Sequence, residues 1–270
     1  MSHSHQFLSR IADDRRRRVA EMKLATPPHL LRARLGPRRE GGRLERALRR
    51  GGPAGPLKLL CEVKRASPSK GMLHEFVDPV ALAKVYAAGG AAAVSLVTEP
   101  DHFKGDLRWI DAVRPEVQLP LLLKDFVLDS YQLLDAAVRG ADGVLLLAAL
   151  LSETELQRLI GEAKVLGLDP LVEVHTLEEL NAAQRAGATL VGINHRNLHT
   201  FELDLELSAL LLPRVPPMIT AVVESGISQP DQLTKLRDTR CDAVLMGEVL
   251  VTSEDPAATL AVLAAAARGE

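Results

Sequence analysis

Aromatic residues are scarce in this chain: one Trp, two Tyr and five Phe make up 3% of its 270 residues. Folds that stack nucleic-acid bases need aromatic platforms, and no recognition-helix pattern replaces them here. Cysteine is nearly absent as well. Cys61 and Cys241 lie in or beside apolar strands, in no metal-ligand spacing, and read as buried, unreactive thiols. No apolar run reaches the ~18 residues that span a bilayer, and the N-terminal MSHSHQFLSR has no signal-peptide core. The expectation is a soluble cytoplasmic protein with neither membrane nor nucleic acid as partner.

What the chain has in quantity is aliphatic, and its length allows one large domain or two smaller ones. The formal net charge of -2 hides an asymmetry, because residues 1–50 hold 14 Lys/Arg against 5 Asp/Glu. Arg15, Arg16, Arg17 and Arg18 are expected on the solvated face of a helix, partnered with acidic surface of the main domain. Residues 6–24 carry Phe7, Leu8, Ile11, Val19, Met22 and Leu24 at helical spacing, and Pro27 and Pro28 end that helix. A less regular helical region follows over 29–50, then a linker of Gly51, Gly52, Pro53, Gly55 and Pro56. Residues 1–56 thus read as an N-terminal helical extension preceding a body at 57–270.

The body repeats one phrase, small-Gly-Ala leading into an apolar run, at 87–97, 139–147 and 185–194, with a worn copy at 240–248. Each glycine suits a helix C-cap passing directly into a strand. With the runs at 57–63, 119–124, 169–174 and 218–223 this gives eight nearly continuous apolar strands separated by helices. A doubly wound sheet calls for a GxGxxG turn after its first strand, where this chain has SPSKG. The pattern predicts an α/β chain folded as a (β/α)8 barrel, closed by a helix over Pro256–Arg268.

In such a barrel the C-terminal strand ends form the active site. They carry Glu62 and Lys64, then Lys124 with Phe126, Glu173 with His175, Asn194 with Arg196, and Glu224 with Ser225 and Gly226; strand 8 runs into Gly247 and Glu248. Alternation puts the members of each pair two apart on one face. Glu62 with Lys64, taken alone, reads equally as a structural ion pair. The glycine turns ESGIS and MGEVL offer backbone N–H groups to a phosphate, and Ser67 adds a hydroxyl from the loop after strand 1, a candidate mobile lid. The strand ends and their loops thus offer Lys124, Glu173, Lys64, Glu62, Asn194 and Glu224 as ionisable or amide groups, with Ser67, Phe126, Arg196, Ser225, Gly226, Gly247 and Glu248 around them. Burial and a second cation nearby lower the pKa of a lysine in a barrel mouth, which suits an acid.

The motifs CEVKRASPSKG, VSLVTEPDHFKGDL, LPLLLKDFVLDSYQL, LVEVHTLEEL, GINHRNLHTFELD, VVESGIS and LMGEVLV, over about 59–255, resemble those of indole-3-glycerol phosphate synthase. The resemblance implies conversion of 1-(2-carboxyphenylamino)-1-deoxyribulose 5-phosphate, an anionic sugar phosphate, to indole-3-glycerol phosphate with loss of carbon dioxide and water. It implies no cofactor and an N-terminal extension, residues 1–56, folded over the barrel mouth; no metal and a monomer or weak homodimer are the further expectations. It makes Lys124 the general acid, Lys64 the holder of the anthranilate carboxylate, and Glu173 the proton exchanger in dehydration. Glu62, Asn194 and Glu224 position the lysines and hydroxyls, and Phe103 and Phe126 flank the ring. His195 departs from the asparagine or serine more common there, but its parity turns it from the cavity. Rival readings are a phosphoribosylanthranilate isomerase, a Schiff-base aldolase using Lys124 as nucleophile, or a non-catalytic scaffold.

Overall fold

Eight parallel strands, each buried on both faces, close on one another in chain order. They are β1 Lys58–Val63, β2 Ala93–Val97, β3 Leu121–Lys124, β4 Gly143–Leu147, β5 Asp169–Val174, β6 Leu190–Asn194, β7 Thr220–Glu224 and β8 Ala243–Met246. β1 pairs with both β2 and β8, so the sheet has no edge. The computed structural model describes residues 3–37, 40–52 and 54–270; of the expected linker, Pro53 lies outside the described residues.

Alternation along each strand sorts the apolar residues into two cores. Leu59, Cys61, Val94, Leu96, Leu121, Leu123, Val172 and Ile193 point outward under the helices. Leu60, Ala93, Leu122, Leu145, Leu171, Leu190, Val222 and Leu245 fill the interior. The joints behave as the repeated phrase demands. Gly140 and Gly187 take φ of 90° and 86°, a left-handed turn that a side chain would strain, and each passes straight into a strand.

The N-terminal segment reaches both ends of the barrel. Helix α1, His3–Ala25, lays Leu8 and Ile11 against Phe126 and Leu147 at the C-terminal end. Two short helices follow, α2 Pro28–Arg32 and α3 Arg43–Leu48, in place of one irregular region. α3 sits at the opposite end, where the Asp169 carboxylate at the start of β5 accepts N–H bonds from Leu44 (2.8 Å) and Glu45 (3.1 Å). Leu44 fills the space left by Gly143, since a Cβ there would collide with its side chain. So α1 packs at the C-terminal end of the barrel and α3 at the opposite end.

The arginine run divides, against the expectation of a uniformly solvated face. Arg15 is 5% exposed and donates to Asp125 Oδ2 at 2.8 Å, an oxygen that also accepts from Thr98. Arg18 forms a bidentate pair with Asp101, while Arg16 and Arg17 stay on the surface with Asp13 and Asp14 of their own helix. Asp125 follows Lys124 directly, so Arg15 ties α1 to the end of β3.

Candidate active site

A cavity of about 390 Å³ opens at the C-terminal ends of the strands, within the size range of small-ligand pockets. Every sequence-predicted site residue except Glu224 lines it. Glu224 is fully buried beneath Lys124.

The four odd-numbered strands each send one ionisable side chain into a single layer: Glu62 from β1, Lys124 from β3, Glu173 from β5 and Glu224 from β7. Layers of four from alternate strands are how such barrels fill their interior, and here the topmost layer is charged. Lys124 Nζ is at its centre, hydrogen-bonded to Glu224 Oε2, 3.5 Å from Glu173 Oε2 and 3.9 Å from Glu62 Oε2. Lys64 Nζ stands 3.2 Å from Glu62 Oε1, so the pair first read as a possible strand-end salt bridge belongs to this network. Asn194 Nδ2 donates to Glu173 Oε1 at 2.9 Å, and Ser95 Oγ donates to Glu62 Oε2 at 3.1 Å.

Electrostatics corrects one expectation. Burial opposes the charge on Lys124, but the Coulomb attraction of Glu224, Glu173 and Glu62 outweighs it and raises the pKa. The lowering expected from burial and a second cation does not occur, and Lys124 is a firmly held ammonium. Glu173 is pushed up by burial but held down to about 2 by Lys124, His175 and Asn194. Glu224 goes the other way, to about 7, because burial and the neighbouring carboxylates prevail over Lys124. His175, near Glu173 and Glu179, rises to about 10 despite burial, because both carboxylates favour its charged form.

The remaining predicted residues form the walls. Phe103 and Phe126 face each other across 6.1 Å between ring centroids, tilted by 47°. Phe7 from α1 joins them; its helical spacing marked it as apolar, but nothing in the sequence placed it at the cavity. On the opposite wall lie Ser67, Arg196, Ser225, Gly226, Gly247 and Glu248. Ser225 and Gly226 take left-handed φ of 67° and 77°, and Glu248 reaches Lys70 Nζ at 3.6 Å. The turn after β7 does not open straight into a helix, which begins only at Pro230, whereas Gly247 caps the short helix Glu248–Val251. His195 faces away from the cavity as its parity predicts; its Nδ1–H donates to Ser225 O at 3.0 Å and its backbone N–H to Glu224 O.

Two supporting residues escaped sequence reasoning. Gly192, inside β6, carries no signal of its own in the sequence, yet a Cβ on it would collide with Glu224 Oε1, so its bareness makes room for that carboxylate. Glu179 looks like a first-turn helix residue, and the signal that would have found it is its spacing of four from His175, whose ring Nδ1 it meets at 3.2 Å.

Residues 8–263 match the family profile of indole-3-glycerol phosphate synthase. Proteins of that name from Sulfurimonas denitrificans and Carboxydothermus hydrogenoformans are 46% and 41% identical, the first over 77% of this chain and 79% of its own length, the second over 96% and 100%. Solved structures similar in fold include KGPDC from Streptococcus mutans (TM-score 0.61, 11% identity, 78% of this chain and 97% of that one). Another is 3-hexulose-6-phosphate synthase from Salmonella typhimurium (TM-score 0.60, 15% identity, 78% and 98%). At that identity these neighbours show the barrel alone, whereas the profile and the relatives carry further, and the chain belongs to the indole-3-glycerol phosphate synthase family.

Proposed function

We propose that this cavity closes the pyrrole ring of 1-(2-carboxyphenylamino)-1-deoxyribulose 5-phosphate, releasing carbon dioxide and water to give indole-3-glycerol phosphate in tryptophan biosynthesis. The observation that carries the reading is the charged layer: an ammonium clasped by three carboxylates, open on one side to an aromatic-walled cavity. Lys124, fully protonated, delivers its proton to the ribulose carbonyl oxygen as the ring carbon attacks. Lys64 holds the anthranilate carboxylate until carbon dioxide leaves. Glu173, kept ionised, then takes the proton lost on dehydration. Glu62, Asn194 and Glu224 orient the two lysines and the hydroxyls, and Phe103 and Phe126 hold the aromatic ring. Ser67, Arg196, Ser225, Gly226, Gly247 and Glu248 form the phosphate end, the last through its backbone since its side chain is anionic.

The same electrostatics weighs against the rivals. A Schiff-base lysine must be neutral to attack, and Lys124 has its pKa raised. The isomerase reading needs a reactive thiol on the first strand, but Cys61 faces the outer core, where burial pushes it to about 12. The free buried thiols Cys61 and Cys241 also support a cytoplasmic location. Among the described residues no helix is long and apolar enough to cross a membrane. Large exposed apolar side chains such as Leu24, Phe76, Val165 and Met218 lie on separate elements, which favours a monomer or weak homodimer. Incubation of the purified protein with the carboxyphenylamino sugar phosphate, without added metal, is expected to give indole fluorescence. None at any enzyme concentration overturns the reading.

A further inference from the structure

Ring closure has a proton balance of its own. The substrate carboxylate leaves as neutral carbon dioxide, so each turnover takes up one proton. Two are delivered, one by Lys124 to the carbonyl oxygen and one to the departing hydroxyl; the second is the proton that Glu173 removes in forming the indole, so the net debt falls on Lys124. The acid must therefore be recharged, and a bound substrate stands between Lys124 and the open mouth.

We propose that Glu179 and His175 form a proton conduit from solvent that recharges Lys124 through Glu173. It rests on the reading of Lys124 as the general acid. The conduit runs from the rim to the centre of the charged layer in three short gaps. Glu179, in the first turn of helix Leu177–Arg185, keeps 21% of its side chain exposed, and its Oε2 lies 3.2 Å from His175 Nδ1. The same oxygen accepts the His175 backbone N–H at 2.7 Å, which fixes the two residues together. On the far side of the ring, Nε2 lies 3.3 Å from Glu173 Oε1, and Glu173 Oε2 lies 3.5 Å from Lys124 Nζ. Glu173 is 2% exposed, so the wire is dry at its inner end.

Burial alone makes a histidine neutral, but this ring is flanked by a carboxylate at each nitrogen and is held charged. Its buried Nε2 sits near Glu173 without an aligned hydrogen bond, while Asn194 already occupies the same Glu173 oxygen. A structural histidine satisfies both nitrogens; this one keeps its Nε2 3.3 Å from the base and uncommitted.

The steps balance. After Lys124 has given its proton to substrate, His175 Nε2–H passes to Glu173 Oε1 and the ring becomes neutral. A half-turn of the carboxyl about its terminal torsion, which is soft and two-fold, brings that proton to the Lys124 side. The neutral amine takes it, restoring the ammonium and the carboxylate. Glu179 carries a proton in from solvent and returns the ring to its charged form.

The test separates recharging from chemistry. In stopped-flow fluorescence, Glu179→Gln and His175→Gln are expected to form the first indole per site within about threefold of the wild-type rate. Their steady-state rate is expected to fall at least tenfold, so that the ratio of first to later turnovers rises by that factor, with a larger slowing in heavy water. Glu179→Gln touches neither substrate nor Glu173 and decides the matter if His175→Gln does not fold. A variant whose first and later turnovers slow together, or neither slows, overturns the conduit. Lys124→Met, run alongside, keeps the two readings apart: wild-type turnover in that variant removes Lys124 as the acid, whereas its loss beside a normal Glu179→Gln removes the conduit alone.

Discussion

Lys124→Met keeps the length of the side chain and removes the only ammonium at the centre of the odd-strand layer. At 3.5 Å the attraction to Glu173 alone is about 5 kcal/mol with an effective dielectric near 20, and Glu224 is closer still. Removing one partner of a buried pair typically costs about 3–5 kcal/mol because the other is left uncompensated. Here the carboxylates have an escape, since a buried group without a cation takes up a proton. In the variant Glu173, held near 2 by Lys124, loses that restraint and rises, and Glu224, already near 7, rises further. A carboxyl whose folded pKa lies above its unfolded value favours folding only while protonated, so its contribution is intact below the unfolded pKa near 4.5 and is lost as pH climbs through the folded pKa. The stability gap between variant and wild type is therefore expected to be small at pH 5 and to widen to about 3 kcal/mol at pH 8. For a chain of this size that is a fall in Tm of roughly 6–12 °C at pH 8. Scanning calorimetry at pH 5, 6.5 and 8 measures the gap, and indole fluorescence should show turnover down by at least ~10²-fold. A gap independent of pH, or one that widens toward acid, refutes the account of three carboxylates sharing one ammonium.

Further outcomes follow from other contacts. Gly192→Ala drives a methyl into Glu224 Oε1, and overpacking of this kind costs about 1–3 kcal/mol; kcat should fall more than KM rises, and unchanged kcat would mean that Glu224 moves away harmlessly. Arg15→Gln leaves Asp125 buried without its cation, with an expected loss of about 3–5 kcal/mol in urea unfolding; stability equal to wild type would show that Thr98 and the Phe126 N–H suffice. Phe126→Ala is expected to raise KM about tenfold through loss of ~1.4 kcal/mol of ring contact, and a KM within twofold would place the aromatic ring of the substrate elsewhere.

The barrel was legible because its signals are local. Helix, glycine joint and apolar strand recur at short spacing, and alternation alone told that Glu62 shares a face with Lys64 and Glu173 with His175. It told less about consequences. The rise in the pKa of Lys124 depends on three carboxylates from three other strands, and no spacing rule sums their charges. Gly192 matters because of Glu224, 32 residues away, and inside β6 it carries no signal of its own in the sequence. Arg15 is instructive in a different way. It lies at helical spacing in line with Leu8, Ile11 and Val19, so the apolar face already contained it, but the run of four arginines drew it to solvent as a group. The partner that rewards its burial, Asp125, stands 110 positions later.

The charged layer also divides unequally along the chain. Its first half, through β4, supplies Glu62, Lys64 and Lys124, with a net charge of one positive. The second half supplies Glu173 and Glu224, and of these only Glu173 has a cation from its own half, His175 at 3.3 Å. A fragment of β5 to β8 would thus close at neutral pH with Glu224 protonated, a carboxyl that the intact barrel holds at about 7 beside Lys124. Arrival of β3, which brings Lys124 to the axis, relieves that protonation and so couples the two halves more tightly than hydrogen bonding between β4 and β5 alone.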